Sequence, residues 1–184
     1  MKIPFLKNFR RGFATNSSSS HSFVYMKEDQ GLGVENPGSY LDAGFNWQDF
    51  RLSTIREKLF YVLVGRIGGG WKDVGDGSKE YEELGDEFPE LTREDFSAAV
   101  SGNIDHESVG TIGTLEARDP KVVVFGGNDN EPGSEERAAA IRAGEIDWSR
   151  TQIGYEDLEH LQVKDEAGQR AARAYLDANP WAAR

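Results

Sequence analysis

The chain has three imidazoles, His21, His106 and His160, and two of them stand beside residues that suit chemistry. His21 closes the run Ser17, Ser18, Ser19, Ser20, which follows Arg10, Arg11 and Thr15-Asn16. His106 directly follows Asp105, and a third polar cluster, Gly126-Gly127-Asn128-Asp129-Asn130, comes after an apolar run. Imidazole with carboxylate or amide oxygen is a donor set for a divalent cation and also a proton-transfer set. A cation held this way can activate water against a phosphate ester. Consecutive hydroxyls and backbone N–H groups cradle anions. On this reading His21, Asp105, His106 and Asp129 are metal ligands or acid–base groups, while Ser17 to Ser20 with Arg10 and Arg11 hold the phosphate.

The same residues have plainer readings. The spacing matches no metal template such as H-E-x-x-H. Asp105-His106 after Gly102 can simply cap a turn, Gly126 to Asn130 is ordinary loop chemistry, and a serine run is also a common linker. A Ser-His-Asp nucleophile built on Ser20 or Ser22 lacks the G-x-S-x-G elbow. Asp73, Asp76 and Glu80 do not keep the register of a calcium loop. His160, among Glu156, Asp157 and Glu159, reads as a surface residue. No cysteine is present, which excludes disulfides, thiolate zinc sites and cysteine nucleophiles. No cofactor is expected, and a divalent metal enters only with the hydrolase reading.

The elements that must position these groups follow from periodicity and punctuation. Ser22-Phe23-Val24-Tyr25-Met26 reads as a strand delivered by a tight serine loop. Lys121 to Phe125 is the clearest strand, its unbroken apolar run implying burial on both faces. It empties into a sharp turn at Gly126. Gly31, Gly33, Pro37, Gly38 and Gly44 make 28–46 a long loop. A core helix is expected over 47–64, with Asn46 as cap, Asp49 in the first turn, Leu52, Ile55, Leu59 and Val62 on one stripe, and Gly65 as its stop. Residues 79–88 read as a solvated acidic face. Thr92 and Asp95 form a capping pair for a helix ending near Gly102, with Leu91 stapled to Phe96. Further helices are expected over 134–143 and 166–178, the last stopped by Asn179-Pro180. The fold class is α+β: one domain over 22–184, a small mixed sheet covered by several helices, preceded by a basic, Ser-rich arm and loop over 1–21.

Charge is uneven along the chain. Residues 1–27 hold Lys2, Lys7, Arg10, Arg11 and Lys27 and no acid, a local +5. The remainder holds 16 basic and 32 acidic residues, a balance of −16, which gives the net −11. The acidic body repels nucleic acid at long range, but the arm can touch phosphates, or lie on the protein's own acidic surface or on a neighbour's. Phe5, Phe9 and Phe13 fall at helical spacing and form an aromatic stripe suited to docking on a partner. No run reaches the roughly 18 apolar residues needed to cross a bilayer, so no membrane partner is expected. The opening residues lack the apolar core of a signal peptide, so the whole chain is expected to persist.

The segment Arg11-Gly12-Phe13-Ala14-Thr15-Asn16-Ser17-Ser18-Ser19-Ser20-His21-Ser22 resembles the opening of a group of phage-encoded proteins without settled activity, which begin with a basic residue, Gly-Phe and Thr-Asn-Ser-Ser-Ser-Ser. Asp105-His106-Glu107-Ser108 and Phe125-Gly126-Gly127-Asn128-Asp129-Asn130 are similar to later segments of that group. The resemblance covers about 25 residues and implies a bacteriophage origin. It favours a virion-associated structural or accessory protein, located in the virion or host cytoplasm, whose arm docks onto other phage structural proteins or packaged DNA. The rival is a metal-dependent phosphate-ester hydrolase using the His/Asp cluster.

Overall fold

A computed structural model describes residues 19–28, 44–45, 50–68, 75–104, 112–128, 146–153, 158 and 166–183. Its centre is Val122–Asn128 (β5), which pairs antiparallel with Ser19–Tyr25 (β1) on one edge and Phe50–Leu52 (β3) on the other. Gly44–Phe45 (β2) and Asn103–Ile104 (β4) form a separate parallel pair. The three-stranded sheet is thus wholly antiparallel, and the parallel pairing lies outside it. The expected α+β class holds.

The sheet lies between two apolar layers, which explains the unbroken valine run. Val122 and Val124 join the core built on the helices, whereas Val123 and Phe125 join a second core with Ile146, Ile153, Ala172 and Tyr175. β1 divides the same way, Phe23 and Tyr25 to the first core and Val24 to the second. Strand side chains alternate between faces, so a strand covered on both sides must be apolar at every position. Burying each valine contributes about 1.5–3 kcal/mol.

The core helix is Ile55–Ile67 (α1), and it begins later than its apolar spacing predicts. Phe50, Arg51 and Leu52 are drawn into the sheet as β3, and Thr54 makes the true N-cap. Thr54 Oγ1 accepts from the Glu57 amide at 3.2 Å, and Glu57 Oε2 accepts from the Thr54 amide at 3.0 Å and the Ser53 amide at 3.1 Å. This reciprocal box satisfies N–H groups that a helix start otherwise leaves unpaired. Gly65 does not stop the helix, which runs on to Gly68. Residues 57–64 are buried on every side, as in a helix enclosed by its own domain.

Ser78–Leu84 (α2) buries none of its residues, as its acidity predicts, but Phe88 just beyond it is fully buried. Arg93–Val100 (α3) has the expected cap, with Asp95 Oδ2 accepting from the Thr92 amide at 2.7 Å. The same buried carboxylate accepts from Arg56 Nη2 at 3.0 and 3.1 Å, tying α3 to the start of α1. Thr114–Arg118 (α4) packs against α1. The last helix is Glu166–Ala178 (α5), within the expected bounds, followed by a 3₁₀ turn over Pro180–Ala183. The expected helix over 134–143 lies outside the described residues.

Lys58 holds these layers in register. It is fully buried in α1, and its Nζ donates to the Asp119 carbonyl at 2.7 Å and the Val122 carbonyl at 2.8 Å. A buried ammonium is tolerated only when its donors are matched. Here the acceptors are the end of α4 and the start of β5. Lys58→Met keeps the apolar stem and leaves both carbonyls without this donor, so urea unfolding should show a loss of about 1–3 kcal/mol. An unchanged midpoint would contradict the role.

Candidate functional site

The serine run and the glycine turn do meet, but as paired strands. β1 begins at Ser19, so Ser19, Ser20 and His21 are strand residues and the predicted tight loop does not extend to them. Ser19 stands opposite Asn128, Ser20 opposite Gly127 and His21 opposite Gly126. The predicted sharp turn at Gly126 is likewise the last part of β5. The reason is register: the pairing that sets Phe23 against Val124 carries on without interruption to Ser19.

One row across the sheet forms the core of the site. Gly126 lies between His21 of β1 and Phe50 of β3. Because glycine has no side chain, the two flanking rings meet above it, centroids 5.2 Å apart and edge to face. A methyl at Gly126 would overlap both Phe50 and His21. Gly127, next along, has φ 148°, a backbone region that side-chain-bearing residues rarely enter. Both glycines are therefore required by packing and backbone rather than by a turn.

α1 covers this row with Tyr61. The Tyr61 hydroxyl and His21 Nδ1 share a hydrogen bond of 2.8 Å, and both residues are fully buried. Phe45 packs edge-on to Phe50 at 5.1 Å and to Tyr61 at 5.0 Å, and Phe23 lies 6.3 Å from Tyr61. Such edge-to-face contacts each add about 0.5–1.5 kcal/mol beyond burial. Burial pushes the Tyr61 hydroxyl well above its ordinary range, so it stays protonated. Chemically, the arrangement is a polar pin in an aromatic box. It fixes the start of β1 to the core helix, and its imidazole is withdrawn from bulk solvent.

Of the residues expected to act with His21, the Asp105-His106 pair and Asp129 lie outside the described residues. So do Arg10, Arg11, Ser17, Ser18, Phe5, Phe9, Phe13 and His160. Among the described residues, no group of three His, Asp or Glu side chains converges in a way that could hold a metal ion. Tyr61 and Phe50, which complete the box, escaped sequence reasoning because both fall inside the helix expected over 47–64, where no local pattern marks either as a neighbour of His21. The alternation Phe50-Arg51-Leu52 was the one signal for a strand. No family model matches the chain, and no curated protein or solved structure is significantly similar to it.

Gly126→Ala tests the box directly. The added methyl must displace one of two buried rings, and overpacking of this kind costs about 1–3 kcal/mol. Chemical denaturation should show that loss. A variant as stable as the parent would show that the two rings do not close over the glycine.

Proposed function

We propose that this chain is a bacteriophage virion-associated structural or accessory protein whose basic, aromatic arm docks onto other virion proteins or packaged DNA. One observation supports it above others: the arm leads directly into the most deeply buried edge of the sheet. His21, Ser22 and Val24 have no exposed surface and Phe23 has 1%. A tether must transmit load to its domain without unravelling it, and a strand pinned by side chains on both faces does so. The phage-like segment Arg11–Ser22 spans the junction itself, from arm to buried strand.

The charge pattern supports the same reading. Lys2, Lys7, Arg10 and Arg11 precede an otherwise acidic chain, so attraction to phosphate is concentrated in the arm. The hydrolase alternative draws no support from His21, because an enclosed imidazole bonded to a protonated phenol is badly placed to reach a phosphate ester. No helix among the described residues is long and apolar enough to cross a membrane.

Removal of residues 1–13 separates tether from domain. The shortened chain should keep its thermal midpoint while losing association with virion proteins or with DNA. If DNA is the partner, the slope of log affinity against log salt should fall by up to about 3.6, at ~0.9 for each phosphate that the four deleted cations had neutralised. If the partner is protein, the loss should depend little on salt and should be reproduced by replacing Phe5, Phe9 and Phe13 with serine. Undiminished association after the deletion would refute the arm as the docking element.

A further inference from the structure

At the other end of β1 a cleft of about 490 Å³ opens between the sheet and the turn over 146–150. Met26 and Ile146 line it and are joined to each other by an isolated antiparallel bridge, and the Met26 amide donates to the Lys121 carbonyl at 2.9 Å. Among the described residues, three cations line the cleft, Lys27, Lys121 and Arg150, with one lining carboxylate, Asp147, and a second, Asp119, paired with Arg150 at 3.4 Å. That ratio inverts the balance of a chain whose net charge is −11. Trp148, partly packed against the second core, also lines the cleft.

The turn that carries Asp147, Trp148 and Arg150 is held in place before any ligand arrives. The Asp147 amide donates to the Tyr25 carbonyl at 2.7 Å, and Asp147 Oδ1 accepts from the Ser149 amide at 3.2 Å and its hydroxyl at 2.6 Å. The carboxylate is thus occupied by its own turn. Thr151 Oγ1 accepts from the Tyr25 amide at 3.0 Å and donates to the Asp147 carbonyl at 2.9 Å. Arg150 is laid over the Tyr25 ring, 4.2 Å from its centroid, and lies 3.4 Å from Asp119 Oδ2. Trp148 is fixed by Asn179, whose Nδ2 donates to its carbonyl at 2.8 Å, and by an edge contact with Tyr175 at 6.4 Å.

We propose that this cleft binds a nucleotide, its phosphate taken by Lys27, Lys121 and Arg150 and its base laid against Trp148. Cations beside a positioned aromatic ring are the combination that recognises phosphate and base together, and stacking of this kind is indifferent to base identity. The site uses no residue of 1–18 and stands whether or not the arm binds DNA. Its ligand is either a free nucleotide or one unit of a single strand.

Amide-resolved NMR titration of the full chain with thymidine monophosphate, hexathymidylate and inorganic phosphate tests the site. The two thymidine probes should shift the amides of Lys27, Lys121 and residues 147–150 together with the Trp148 indole N–H. Lys121→Glu, at an exposed position, should weaken both by about tenfold or more, as removal of one charge-assisted hydrogen bond implies. Trp148→Leu should abolish the preference for thymidine monophosphate over inorganic phosphate while leaving phosphate binding intact. Tighter binding of hexathymidylate than of the mononucleotide identifies a strand as the ligand, and equal binding identifies the free nucleotide. Absence of shifts at the cleft, shifts confined to residues 1–18, or unchanged affinity in Lys121→Glu would each overturn the proposal.

Discussion

The structure depends on β1 being held from several directions at once. Its odd-numbered side chains His21, Phe23 and Tyr25 face the core containing α1, and Val24 faces the opposite core. Its backbone is shared too: Met26 bonds to Lys121 beside β5, while Phe23 exchanges hydrogen bonds with Gln152, at 2.7 and 2.9 Å, on the outer edge. An edge strand normally leaves a row of unpaired amides. Here the segment around 151–152 covers part of that row, and the Thr151 hydroxyl accepts the Tyr25 amide. Detaching β1 would therefore break both cores and both edges together.

This explains why a histidine and two glycines sit in a place where valines would be expected. The β1–β5 pairing ends in a row where α1 brings a tyrosine against the sheet. A third large side chain at Gly126 would not fit between Phe50 and His21. Histidine offers a ring of aromatic shape with a nitrogen able to meet the Tyr61 hydroxyl, so the phenol is buried with a partner rather than alone. His21 and Gly126, read in the sequence beside polar neighbours, are in three dimensions members of one packed row.

Much of the fold was legible because its signals are local. The valine run, the Thr92–Asp95 box and the stop at Asn179-Pro180 each act within a few residues. The start of α1 was not, because Phe50 and Leu52 satisfy helical spacing and strand alternation equally, and only pairing with β5 decides between them. The meeting of Ser19–His21 with Gly126–Asn128 could be suspected from composition alone, but its form depended on a register set by the valines. The Tyr61–His21 bond spans 40 residues and the Lys58 hydrogen bonds span 61 and 64, so no local pattern announces them. The cleft at Trp148 was invisible for the same reason, since its cations come from three separate segments.

Whether β1 is inseparable from the core is measured most directly by native-state hydrogen exchange. The Phe23 amide, bonded to Gln152, and the Val24 amide, on the β5 side of the strand, should exchange with the same free energy as the Leu63 amide of α1. That common value should equal the free energy of global unfolding obtained from urea. Exchange of the β1 amides at a distinctly lower free energy, while α1 remains protected, would show the strand peeling away by itself, in contradiction to a strand locked into both cores.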